Sequence, residues 1–263
     1  MRELGAVFLY ECRRMLTPSR LVWWLAISGF PLAITVLISM GLARSSEVPN
    51  DVDSAWSMAY YMLVPCVCTT LGVLVTAGPA VASEIEQRSW VYLATRPHGI
   101  SRLLLGKYLA AVVFGGSGAI VGLGAAVPFS TAVEKMELWF SLAILSGLSA
   151  LAYAAVFLFL GTVMLRRAMV ICMAYAFFVE VILGSLPALV NRLTMQYRLR
   201  SILVQWLKLP ADLMERPMMS QAVGLEPVWQ HIAWLLGLTV VFLGGALLMV
   251  RTREFTAAAE GDA

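Results

Sequence analysis

Along this chain the polar positions are few and grouped. Between them run six apolar stretches, residues 21–43, 57–82, 104–129, 138–165, 168–190 and 229–250. Each holds about 20 residues or more, the length an α-helix needs to cross a bilayer. Trp23 and Trp24 open the first stretch, as indole rings do at a membrane interface. Pro65 and Pro79 predict kinks in the second. Gly115, Gly116, Gly118, Gly122 and Gly124 give the third a small-residue face for close helix packing, and Gly147, Ser149, Ala150 and Gly161 serve the fourth in the same way. The expected fold class is an all-α integral membrane protein with six transmembrane helices, forming a single transmembrane domain over residues 1–255.

Three flanking segments complete the layout. Residues 1–20 set Leu4, Val7, Phe8, Leu9 and Tyr10 against Glu11, Arg13 and Arg14, which predicts an N-terminal interfacial helix ended at Thr17-Pro18-Ser19. The apolar run behind it is too long for a signal-peptide core, and no clean cleavage site follows. Residues 191–227 form an extracytoplasmic segment between spans five and six. Leu199, Ile202, Leu203, Trp206 and Leu207 recur there at helical spacing and predict an outer amphipathic helix. Residues 256–263 make a polar, alanine-rich tail expected to be disordered.

Composition agrees with a membrane setting. The chain is 60% hydrophobic and 13% charged, with mean hydropathy +0.81, whereas a soluble domain carries about 25% charged residues. A net charge of +3 is too small to point to nucleic acid. Its placement is more informative. Arg2, Arg13, Arg14 and Arg20 precede span one; Arg88, Arg96, Arg102 and Lys107 join spans two and three; Arg166 and Arg167 join four and five; Arg251 and Arg253 follow six. With six spans these fall on one side, which predicts a multi-pass cell (inner) membrane protein with both termini cytoplasmic. Residues 191–227 carry further Arg and Lys outside, as longer loops do. The four cysteines show no zinc spacing and read as inert thiols.

The one sizeable early polar interruption is residues 83–107, SEIEQRSWVYLATRPHGISRLLLGK. Ser83 with Glu86 three residues on is a capping-box pattern, Pro97 ends the helix, and Ser101 is placed to cap the next. A short capped helix of about 18 Å between two spans is suited to being gripped from outside the membrane. Glu84, Glu86, Ser89, Leu93, Arg96 and Pro97, followed by Ser101, Arg102, Leu105, Gly106 and Lys107, resemble the coupling segment of ABC-2 type transporter permeases. The chain departs from that pattern at Arg88, where many members carry Gly. The resemblance implies a membrane-spanning permease subunit of an ABC exporter working by ATP-driven alternating access. It implies as partners two copies of a separate ABC ATPase subunit, a homodimer mate or paired second permease, and membrane lipid. Its contact residues would be Glu84, Glu86, Arg88, Trp90, Leu93 and Arg96 on the 84–95 helix, within a cytoplasmic coupling segment spanning residues 83–103.

No G-x-x-x-x-G-K-[ST] occurs, so no cofactor is expected in this chain; ATP and Mg would be bound by the partner ATPase, and the subunit is not itself an enzyme. Two alternatives come from other classes. Gly147-Leu148-Ser149-Ala150 with His231 is similar to the dyad of a rhomboid-like intramembrane serine protease, although the two residues sit at different depths. Met58, Met62 and Cys66, with Met214, Met218 and Met219, raise a permease serving copper or metalloenzyme maturation, against methionine's ordinary use as apolar filler. Glu180 is the carboxylate inside a predicted span. A charge there costs roughly 3 kcal/mol by insertion scales, so it is expected to act as hydrogen-bond glue or as a translocation-path residue.

Overall fold

The computed structural model describes residues 2–44, 52–87, 99–184, 189–209 and 223–252. Among them all regular structure is helical, as hydrocarbon demands by offering backbone groups no partner. Helix α1 covers Arg2–Met15, and α2 restarts at Pro18 and runs to Arg44. The second apolar run is α3 (Val52–Tyr61), a π-helical stretch (Met62–Cys68), α4 (Thr69–Ala77) and, after a turn, α5 (Ala82–Glu86). Helix α6 (Gly99–Ala126) ends in a 3-10 turn to Phe129, and α7 covers Lys135–Val163. Helix α8 (Ala168–Tyr175) continues as a π-helical stretch to Leu183. A 3-10 turn (Leu189–Leu193) leads into α9 (Met195–Trp206), and α10 covers Val228–Thr252. Five units are long and apolar enough to cross a membrane: Pro18–Arg44, Val52–Glu86, Gly99–Phe129, Lys135–Val163 and Val228–Thr252. That is the layout of a multi-pass membrane protein.

Helix α7 is the hub. Tyr153, Phe157 and the residues between them are fully buried among α4, α6, α9 and α10. Helix α6 lies against α1, α2, α4 and α7. Its glycines do not form one face, because at 100° per residue they point several ways. Gly115 meets Gly72 and Val73 of α4, Gly118 and Gly122 meet Trp24 and Ser28 of α2, and Gly116 and Gly124 face Ala150 and Trp139 of α7. In the α4–α7 contact, Gly161 meets the Gly78 carbonyl so closely that a Cβ has no room.

Both prolines of the second run interrupt the α-helix. Pro65 has no N–H to give, and the ladder widens to π geometry around it, with the Thr69 N–H and hydroxyl both directed to the Val64 carbonyl. Pro79 lies in the turn between α4 and α5. This turn corrects the expected capping box. The Ser83 N–H already bonds the Pro79 carbonyl at 2.9 Å, so α5 starts at Ala82 and the Ser83 hydroxyl donates to Ala80 instead. Ser101 likewise lies within the first turn of α6 rather than ahead of it. Residues 88–98, which hold the rest of the coupling segment, lie outside the described residues, as does the tail from residue 253.

The fifth apolar run also departs from expectation. Its helix comprises 8 residues of α-helix and 8 of π-helix and ends at Leu183, about 24 Å at most against the roughly 30 Å of a hydrocarbon core. The expected helix runs to residue 190, but Leu189 and Val190 already belong to a 3-10 turn, and the first N–H groups of α9 lie on Glu180 of this run. Helix α9 carries the expected apolar residues, yet it is no surface helix. Gln196, Arg200 and Ser201 are buried along with Leu199, Ile202 and Leu203, between α7 and α10. Thr194 caps it by accepting the Tyr197 N–H at 3.2 Å. At its other end Lys208 takes a left-handed φ of 45°, and the Leu209 N–H closes on the Val204 carbonyl, a Schellman-type stop.

The two ends of the bundle are distinct. At one, Arg251 near the end of α10 donates to the Ser101 hydroxyl at 3.0 Å, beside the start of α6. At the other, Trp56 donates to Thr131 at 2.8 Å and Asp53 accepts the Val133 N–H at 2.7 Å.

Candidate functional site

Four charged side chains from three separate elements converge where α5 leads into residues 88–98. Glu11 and Arg14 come from α1, Glu84 from α5 and Lys107 from α6. Lys107 Nζ lies 2.8 Å from Glu84 Oε1 and 3.5 Å from Glu11 Oε1. Arg14 Nη1 donates to the same Glu84 oxygen at 2.8 Å and lies 4.0 Å from Glu11. Glu84 is 4% exposed, and Glu11 and Lys107 are equally enclosed. Burial works against the Arg14 charge, but the hydrogen bond to Glu84 and the nearby Glu11 and Glu84 carboxylates outweigh it and raise its pKa. Among the described residues, two cations thus face two anions inside a low-dielectric contact. Close backbone approach sets the geometry. A Cβ on Gly106 would meet Val7 Cγ1 at 2.6 Å, so Gly106 lets α1 lie directly on α6 one residue before Lys107.

Of the expected coupling residues, the structure turns Glu84 inward into this cluster, while Glu86 closes α5 on an exposed position. Arg88, Trp90, Leu93 and Arg96 lie outside the described residues. Glu11 and Lys107 were not singled out as a pair by sequence reasoning. They are nearly a hundred positions apart, and no local pattern joins them.

The second polar centre is Glu180, on the π-helical stretch after α8. It is 5% exposed and surrounded by donors. Oε2 accepts the Gln196 N–H at 3.1 Å and Oε1 the Met195 N–H at 3.4 Å, so the carboxylate sits on the N-terminus of α9, where unpaired N–H groups and the helix dipole favour an anion. The Tyr175 hydroxyl donates at 3.1 Å, and Tyr153 donates as well. Gln196 extends the network, donating from Nε2 to the Tyr153 hydroxyl at 2.8 Å and accepting from Tyr61. Glu180 is therefore a clamp between span two, α7, the fifth run and α9. Glu180→Gln is expected to lower stability by about 1–3 kcal/mol, because one carboxyl oxygen becomes an NH₂ facing donors. Thermal unfolding in nanodiscs reads this; a midpoint unchanged from wild type would remove the clamp role.

The structure does not bring Ser149 and His231 together. Ser149 is fully buried and donates to the Pro65 carbonyl at 2.9 Å, satisfying an acceptor in the π-helical stretch. His231 meets Arg198 Nη1 through Nδ1 at 3.2 Å and Glu226 Oε2 at 3.7 Å, with Arg198 stacked over Tyr197 and Trp234. Among the described residues no three His, Cys, Asp or Glu side chains gather as a metal set would. Met62 and Cys66 lie in a cavity wall beside Glu180, and Met214, Met218 and Met219 lie outside the described residues.

No family model matches the chain, and no curated protein matches it.

Proposed function

We propose that the chain is the permease subunit of an ATP-driven exporter of the ABC-2 type, with six membrane crossings and both termini cytoplasmic. The observation that carries the reading is the buried Glu11–Arg14–Glu84–Lys107 cluster. It lies at the root of residues 88–98 and ties span two, span three and the amphipathic α1 into one body. A push on the 84–95 segment by a partner ATPase would then move all three together. Flexing of the loop alone would not transmit it. The even number of crossings is supported by the contact of Arg251 with Ser101, which sets the last helix end beside α6's start and α1. It requires the short fifth run to complete a crossing together with its following turn.

In this reading Glu86, Arg88, Trp90, Leu93 and Arg96 meet the ATPase, and Glu84 positions the segment from behind. ATP and Mg are held by the partner, and a second permease copy completes the pathway. ATP-driven closure of two ATPases draws the coupling segments together and rocks the spans between inward- and outward-open states. The cargo passes along the wall beside Glu180.

Affinity purification of the tagged chain from its native membrane is expected to retain an ATPase at one copy per permease. Glu86→Arg with Arg96→Glu should reduce the bound ATPase about tenfold, the effect of reversing charges at a docking contact, with membrane insertion unchanged. A charge-reversed chain that retains the ATPase at the wild-type ratio would make the segment a simple loop.

A further inference from the structure

Helix α1, the start of α2 and the middle of α6 share a small core of their own, in which Met15, Ala110 and Phe114 are buried apart from the main one. Beside it lies a cavity of about 340 Å³, inside the range of sites that hold small molecules. Each helix lends it one stripe. Ala110, Val113, Phe114 and Ser117 recur at i, i+3, i+4 and i+7 on α6. Cys12 and Leu16 on α1, and Leu21 and Trp24 on α2, stand one turn apart in the same way. From Ala110 to Ser117 is about 10 Å along the helix axis. The cavity is therefore a groove that follows a membrane span, the direction in which lipid chains run.

Its two ends differ. At the Ser117 end Trp24 Nε1 donates to Ser117 Oγ at 3.2 Å, and Ser117 Oγ donates to the Phe114 carbonyl at 3.2 Å. Both polar side chains of that end are thus satisfied within the fold. The rim is the corner between α1 and α2, since Leu16 and Leu21 line the groove and residues 17–20 join them. Arg20 stands in that corner, one turn before Trp24 on the same face of α2. It is half-buried, and no carboxylate among the described residues forms an ion pair with it. The charges that act on it are Arg14, which repels it, and Glu11, which Lys107 and Arg14 already engage. Lys107 lies one turn before Ala110, which sets Arg20 toward that end of the groove. Arg13, exposed and one turn before Leu16, is likewise without a carboxylate among the described residues. Leu16, Leu21, Val22 and Trp23 are exposed around the same corner, as suits the level where headgroups meet chains.

We propose that this groove binds an anionic phospholipid, with one acyl chain along α6 and the phosphate at the Arg20 guanidinium. The chain occupies an apolar slot, and the head supplies the anion that Arg20 lacks. A zwitterionic lipid brings an ammonium group with its phosphate, and Arg13, Arg14 and Arg20 disfavour it, so the rim selects net negative heads. The binding rests on the membrane layout and not on the permease reading.

The test uses the full chain in phosphatidylcholine nanodiscs carrying a trace of phosphatidylglycerol with a diazirine on its acyl chain, or the matching phosphatidylcholine probe. Irradiation and peptide mapping locate the adducts. Within residues 12–24 and 110–117 the phosphatidylglycerol probe is expected to label about five times as strongly, the scale of one basic side chain acting on an anionic headgroup. Arg20→Gln should bring the ratio down to about one, and Arg20→Lys should keep most of it. Val113→Trp, at an exposed position of the wall, should cut labelling by both probes without entering the buried core. Equal labelling by the two probes, adducts confined to other segments, or an unchanged ratio in Arg20→Gln would overturn the proposal. So would a groove that neither probe labels, with Cys12 joined between copies by a bismaleimide, which would make it a contact between two chains. Retention of an ATPase in the purification above does not depend on this outcome, so either result can fail alone.

Discussion

Lys107→Met is expected to destabilise the protein by about 3 kcal/mol, because it removes the enclosed cation that lies against both the buried Glu84 and the buried Glu11. For a chain of this size that corresponds to a fall of about 10 °C in the unfolding midpoint. The lysine stem is long enough to reach both carboxylates from α6, and methionine replaces its packing but not its charge. The loss should be recovered in large part by Glu84→Gln on the same background, since the uncompensated anion, rather than a missing attraction, is the main cost. Single Glu84→Gln should cost less than Lys107→Met, because the amide oxygen still accepts from Arg14 or Lys107. The full cycle gives a coupling energy between the two sites. A second readout follows α1 directly. If the cluster holds α1 on α6, Cys12 should alkylate faster in Lys107→Met than in wild type. A variant that melts within 2 °C of wild type, with Cys12 labelling unchanged, would reduce the cluster to a surface ion pair of roughly 0–1 kcal/mol.

A matched pair of substitutions on α7 should move stability in opposite directions. Gly161→Ala places a methyl group against the Gly78 carbonyl oxygen, and both partners are backbone, so no side chain can rotate away. The helices must separate there, which loses packing along the α4–α7 contact and is expected to cost about 3 kcal/mol, the upper end for overpacking. Gly147, fourteen positions earlier on the same helix, has nothing within 4 Å of a built Cβ. Gly147→Ala should therefore stabilise by about 0.5–1 kcal/mol through helix propensity alone. Chemical unfolding in mixed micelles reads both. If the two variants shift the midpoint in the same direction, close approach of α4 and α7 at Gly161 is not what holds them.

Membrane character was legible from pattern and composition, because twenty-residue apolar runs admit few other structures and the bilayer permits only closed hydrogen-bond ladders. Five long spans sit close to where hydropathy puts them, and the interruptions at Thr17-Pro18 and Pro65 follow from what proline lacks. Local signals were weaker where a tertiary partner had already satisfied the group in question. Ser83 reads as a cap, yet the Pro79 turn takes its N–H first. The fifth run reads as one long helix to residue 190, yet Leu189 and Val190 lie in a 3-10 turn and Glu180 takes N–H groups of α9. Gln196, Arg200 and Ser201 read as the wet face of an amphipathic helix, yet α7 and α10 cover them. Glu84 reads as a contact for something outside, but Lys107 and Arg14 reach it from within. The amino-acid order alone determined which segments must leave water, since that depends on each segment's own transfer free energy. Which polar groups meet depends on distances between elements far apart in the chain. Only the tertiary structure could decide that Glu180 would be surrounded by donors while Arg200 Nε and the Thr70 hydroxyl would be enclosed without partners.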